Sequence, residues 1–210
     1  LAFAVVLCLI LVYRLPVCGA YFRYWAKVWG NPVELMLLTA ETRPLQSQAK
    51  GLASMLLFSD GYIDQAEIQA KEVILEVPWD PTAKLTLARI ARYRQDLPAA
   101  EKYYRSVLES PKGYRILKHP ARFELAEIFA GKPAHREEVV GLLKEFLKSS
   151  NKSKHPEAIA LLALTYRDLG DMPKARATLE RGLSLHPNDK RLAKILGSFD
   201  HPALEQKKHS

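Results

Sequence analysis

Arg89, Arg92 and Tyr93 are the residues of this 210-residue chain best spaced for recognition chemistry. A separation of three puts the two guanidinium groups one helical turn apart, with a phenol ring beside them. Such a pair can hold a carboxylate or an acidic peptide through charge-assisted hydrogen bonds. The same residues would serve equally as solvated surface. Little else is spaced for making or breaking bonds. Gly131-Lys132-Pro133 lacks both the spacing and the Ser/Thr of a phosphate-binding loop. The six histidines are scattered, with no pair at metal-ligand spacing on one helix, so no metal and no cofactor is expected. No nucleophile elbow is present. Both cysteines, Cys8 and Cys18, lie in the amino-terminal apolar segment, which leaves the rest without a thiol nucleophile or a disulfide scaffold. Carboxylates alternate with Lys and Arg, the pattern of wet helix faces rather than acid/base pairs. Asn151-Lys152-Ser153 fits a glycosylation acceptor, which matters only in a eukaryotic secretory lumen. The expectation is a binding protein, not an enzyme.

The elements that must carry these residues repeat. Gly61-Tyr62-Ile63-Asp64-Gln65-Ala66 is a helix break followed by a small residue, and Ala100 follows Ala66 after thirty-four residues (66 to 100). The cleanest copy runs from Pro156 to Pro187. It has Leu162, Ala163 and Tyr166 on its first helix, a break at Leu169-Gly170-Asp171, then Ala175 and Leu179 on its second. Each place has a packing reason. Small residues let helices approach to about 8–10 Å, glycine takes the left-handed cap without steric cost, and the closing proline blocks continuation. The second copy has Gln95 in place of the glycine and Ala91 where a large aromatic is usual, with Tyr104 and Val107-Leu108 at packing places. The third has Leu125, Ala126 and Phe129 in register, a break at Gly131-Lys132-Pro133, and valines where its second helix should carry alanine. The insert 110–118 reads as a longer loop or an extended helix end.

This pattern resembles the tetratricopeptide repeat (TPR), a hairpin of two antiparallel helices that buries its apolar face only when neighbours stack on it. The resemblance implies an all-α, TPR-like helical-hairpin solenoid over 47–199. Its repeats fall near 47–80, 81–114, 119–152 and 156–187. A capping helix at 188–199 carries Leu192, Ile195, Leu196 and Phe199 on one face, and a flexible tail spans 200–210. It also implies that the first helix of each repeat lines a partner-binding groove. Leu85, Arg89, Arg92 and Tyr93 would stand there in the second repeat, Phe123 and Glu127 in the third, and Leu164 and Arg167 in the fourth. Chaperone-binding TPR domains clamp a carboxyl terminus with Lys and Asn. Leu85 and Arg89 hold two of those places here and the asparagines are missing, so that clamp is not expected.

Residues 1–30 differ in kind. LAFAVVLCLILVY is thirteen apolar residues without interruption, shorter than the ~20 that cross a bilayer. With no initiating methionine, it reads as the end of a transmembrane helix that begins upstream. Arg14 and Pro16 stand where a signal-peptide cleavage site would need small residues, and Val17 departs from a lipoprotein signal before Cys18. A buried core helix is the remaining alternative. Arg14, Tyr21, Arg23, Trp25, Lys27 and Trp29 have the composition of a membrane interface, although an ordinary amphipathic helix on the first repeat would look similar. Residues 31–46 read as a connecting helix. The expected location is therefore membrane-anchored, single- or multi-pass, with the repeats cytoplasmic by the positive-inside tendency.

The formal net charge is +8. The leading expectation is a membrane-anchored TPR adaptor that joins protein partners in assembling a secretion or envelope complex. Bacterial proteins of exopolysaccharide secretion and cytochrome c maturation share that plan. Two other readings stand beside it. One is a purely structural subunit docked through its convex face, favoured if replacing Arg89 and Arg92 leaves assembly intact. The other is a basic nucleic-acid-binding repeat, which would need its cations gathered on one face rather than interleaved with acids.

Overall fold

The computed structural model describes residues 30, 47–111, 115–149 and 155–200. Among them are nine α-helices and no strand. These are α1 (Ser47–Ser59), α2 (Ile63–Glu76), α3 (Pro81–Tyr93), α4 (Leu97–Glu109), α5 (Arg115–Phe129), α6 (Arg136–Ser149), α7 (Pro156–Asp168), α8 (Met172–Leu185) and α9 (Lys190–Asp200). The chain divides into two compact units, residues 1–90 and 91–210, and the division falls within α3.

Each hairpin turns on the same backbone device. Gly61, Gly131 and Gly170 have positive φ (86°, 79° and 79°), and Gln95 adopts 63° in the place that lacks a glycine. At 170 the Gly170 N–H bonds the Arg167 carbonyl and the Asp171 N–H bonds the Tyr166 carbonyl, a Schellman ending. The pattern recurs at Gln95 and Asp96, with Arg92 and Ala91 as acceptors, and at Gly61 and Tyr62, with Phe58 and Leu57. The residue after the turn then caps the next helix. Asp96 accepts from the Ala99 N–H and Asp171 from the Lys174 N–H, both at 3.1 Å.

In the first unit, α1 and α2 pack as a hairpin around Leu57, Ala66 and Ile90, with Leu56, Phe58 and Ile63 against them. Ser54 is fully buried at the close approach. It donates to the Gly51 carbonyl (2.7 Å) and lies 3.2 Å from Thr86 Oγ1, so the small residue here is polar but satisfied. Asp80 is also buried. It caps α3 by accepting from the Thr82 and Ala83 N–H groups at 2.9 and 2.8 Å.

In the second unit, α4 packs on α5, α5 on α6, α6 on α7, α7 on α8, and α9 against both α7 and α8. Ala100 and Ala175 are fully buried at the second-helix contact, and Val139 fills the same place on α6. Asp189 repeats at α9 what Asp80 does at α3, accepting from Arg191 and Leu192 N–H at 2.9 Å each. Leu192 and Phe199 are buried, so α9 covers the last hairpin.

Part of the insert 110–118 is an extended helix end, that of α5. Helix α4 ends at Glu109, and α5 begins at Arg115, with Pro120 inside it. Proline has no N–H to offer the Ile116 carbonyl, and the helix nevertheless continues through it to Phe129. The expectation of a membrane-anchored location is corrected. No helix among the described residues is long and apolar enough to cross a membrane. The expected segments at 1–30 (save Gly30), with Arg14, Tyr21, Arg23, Trp25, Lys27 and Trp29, and at 31–46 lie outside the described residues, as do 201–210.

Candidate functional site

The first helices of the repeats carry the predicted contact residues, and the structure sorts these into three groups. Leu85 is 1% exposed. It presents nothing to a ligand. Arg89, in the same unit, is half-buried.

In the second unit, Arg92 and Glu127 meet. Arg92 Nη1 lies 2.9 Å from Glu127 Oε2, which links the end of α3 to α5. Burial works against the Arg92 charge. The attraction and hydrogen bond of Glu127 outweigh that effect, so the guanidinium is held more firmly protonated than usual. Glu124 lies one turn before Glu127 and accepts a 2.8 Å hydrogen bond from the buried Tyr104 hydroxyl. Tyr93, the residue after Arg92, closes α3 with 66% of its surface exposed. An ion pair with more than a third of each side chain open to water, next to an uncovered aromatic ring, can exchange partners.

The third group is committed elsewhere. Phe123 stacks on Phe146 of α6 with ring centroids 5.2 Å apart, and Phe146 also stacks on His119 at 4.1 Å and meets His155 edge-on at 4.8 Å. Phe123 therefore joins an interhelical aromatic cluster. Burial, with the nearby His155 and Arg122, pushes the His119 pKa below its ordinary value. Leu164 is half-buried, and Arg167 bonds the adjacent Asp168 at 3.0–3.1 Å.

One cluster is not readable from spacing. Arg105 on α4 forms a fork to both oxygens of Glu138 on α6, at 2.6 and 3.1 Å, and also bonds Glu101. His135 Nδ1 reaches Glu138 at 3.1 Å, while its ring stacks on Phe129 at 4.1 Å. Hydrogen bonds from Arg105, and then His135, hold the Glu138 carboxyl below the usual range against burial, which acts the other way. Only the local pairs, Glu101 with Arg105 and His135 with Glu138, leave a trace in the sequence. Among the described residues no group of three or more His, Cys, Asp or Glu is placed to hold a metal ion.

Comparison with known proteins agrees with this architecture. The tetratricopeptide repeat family model matches residues 156–199, which cover α7, α8 and nearly all of α9. No curated protein matches the chain. Among solved structures, MamA from Desulfovibrio magneticus is similar at 16% identity, covering 77% of this chain and 88% of that one, with a TM-score of 0.61. PilF from Pseudomonas aeruginosa is similar at 16% identity, covering 78% and 72%, with a TM-score of 0.60. TTC0263, a thermophilic TPR protein of Thermus thermophilus, is similar at 20% identity, covering 88% and 95%, with a TM-score of 0.52. At these identities the likeness is one of fold. The described residues thus share the all-α helical-repeat fold of these tetratricopeptide-repeat structures, and the family's sequence model matches the last hairpin and the helix that covers it.

Proposed function

We propose that this protein is a TPR-type protein–protein interaction scaffold that reads a partner segment at the Arg92–Glu127 pair and Tyr93. The observation behind this reading is the half-open ion pair next to a ring that is 66% exposed. A partner carboxylate exchanges with Glu127 for the Arg92 guanidinium, and an apolar or aromatic partner side chain covers Tyr93. Displaced Glu127 returns to water at small cost because the pair is only partly buried. The fold supports binding over catalysis. Many of the other cations are occupied in ion pairs with neighbouring acids, including Lys50 with Glu76, Lys71 with Glu67, Arg105 with Glu138 and Lys174 with Asp171. That interleaving suits a soluble repeat surface rather than a phosphate-tracking stripe.

The test is affinity capture with the full chain, comparing wild type, Arg92→Gln and Tyr93→Ala, with thermal melting as a check on folding. A partner whose recovery falls about tenfold with both variants, at unchanged melting temperature, supports this face as the reading surface. Equal recovery by all three overturns it.

A further inference from the structure

A second surface lies at the last hairpin. A cleft of about 340 Å³ opens between α6, α7 and α8. Its floor is the stripe Ile159, Leu162 and Tyr166 of α7, spaced i, i+3 and i+7, each only 5–7% exposed, with the more open Leu147 and Leu185 at its sides. One wall is α6, with Lys144 and Lys148 one turn apart, and the other is α8, with Arg181 and Leu185 one turn apart. At 1.5 Å per residue, the floor stripe is about 10 Å long, or two turns of helix. Leu185 is 42% exposed at one end.

The charges around this apolar floor have one sign. Lys144 holds its ammonium 5.8 Å from the Tyr166 ring centroid. Among the described residues Lys148 and Arg181 have no carboxylate partner. Glu145 and Glu180 belong to the same two helices but do not line the cleft. The floor is closely packed against one wall. α8 passes so near α7 at Gly182 that a Cβ there would lie 2.7 Å from Ile159 Cγ2.

We propose that this cleft docks an amphipathic helix of another protein, apolar along one stripe and acidic on both edges of it. The length matches two helical turns, the floor takes apolar side chains at i, i+3 or i+4 and i+7, and the cations on both walls complement flanking carboxylates. A helical occupant fits better than an extended one. The walls are helices whose backbone groups are already paired, so an extended segment would leave its own backbone unmatched, whereas a helix satisfies its own. The site is independent of the Arg92–Glu127 face.

The test uses the full chain and two fluorescently labelled synthetic peptides of about eighteen residues, long enough to hold a helix. Both carry the same leucine stripe, flanked by glutamates in one and lysines in the other. Fluorescence anisotropy is expected to show the acidic peptide binding at least about tenfold more tightly, with affinity falling as salt is raised. The double variant Lys148→Glu/Arg181→Glu should lose about tenfold for the acidic peptide and gain for the basic one, at a melting temperature within a few degrees of wild type. Arg92→Gln should change neither. Equal affinity for the two peptides, an unchanged affinity in the double variant, or no binding at about millimolar peptide overturns the proposal. So does capture by anionic lipid vesicles in preference to the peptide.

Discussion

Two glycines inside helices should respond oppositely to the same substitution. Gly141 lies within α6 and is exposed, and a Cβ built on it meets nothing within 4 Å. Gly182 lies within α8 and is buried. A Cβ there would sit 2.7 Å from Ile159 Cγ2 and 3.1 Å from Leu192 Cδ1. Alanine gains roughly 1 kcal/mol over glycine in a helix interior. At Gly141 that gain stands alone, and Gly141→Ala should stabilise by about 0.5–1 kcal/mol. At Gly182 overpacking costs about 1–3 kcal/mol. Ile159 is β-branched and cannot swing its γ-methyl clear without leaving its preferred rotamer. The net for Gly182→Ala is a loss of about 1 kcal/mol. For a chain of this size each kcal/mol moves the melting temperature by about 2–4 °C. Calorimetry should therefore place the two variants about 3–8 °C apart on opposite sides of wild type. A double-mutant cycle isolates the cause. In an Ile159→Ala background, itself destabilised, Gly182→Ala should become stabilising. A Gly182→Ala variant that melts above wild type, or one still destabilising without Ile159, would refute the close-approach argument.

Other outcomes follow from single features. Gln95→Gly should stabilise by about 0.5–1 kcal/mol, because glycine relieves the left-handed strain at φ 63° and only part of that gain is lost to unfolded-state freedom. A denaturant midpoint below wild type would sink this. Asp80→Ala removes the acceptor for the Thr82 and Ala83 N–H groups of a buried cap and should cost about 1–2 kcal/mol, read from the same midpoint, whereas Asp80→Asn should retain most of the stability. The folded-state pKa of His119 lies below 6.5, so the unfolded chain binds more protons as pH falls. Stability should be full above about pH 6.5 and decline as pH drops through that value toward the folded pKa. His119→Phe keeps the stack on Phe146 and should flatten this slope in urea titrations between pH 7 and pH 5. An unchanged slope would assign the dependence to other groups.

Local chemistry made much of the fold legible. The breaks at Gly61, Gly131 and Gly170, and even Gln95 standing in for glycine, could be placed because a hairpin between two helices needs a left-handed residue there. Asp96 and Asp171 follow directly and cap the next helix, and the buried Ala100, Ala163 and Ala175 mark close contacts. All of these depend on a few neighbouring residues, so they are written in order along the chain. The candidate site was only half legible. Arg92, Tyr93 and Glu127 were recognisable as residues of the right type on first helices, but the pairing of Arg92 with Glu127, 35 residues on (92 to 127), is a tertiary contact that local spacing does not encode. The same is true of Leu85, which packing buries, and of Phe123, which tertiary structure turns onto Phe146.

The sequence alone determined the period, the turns and the all-helical class, because backbone conformation and capping are settled within one or two turns of chain. Tertiary structure decided which charges are paired, that α5 starts at Arg115 and runs through Pro120, and that Lys148 and Arg181 flank one apolar cleft. Those outcomes arise where side chains from separate hairpins compete for the same space, and helix spacing, crossing and rotamer together choose the winner.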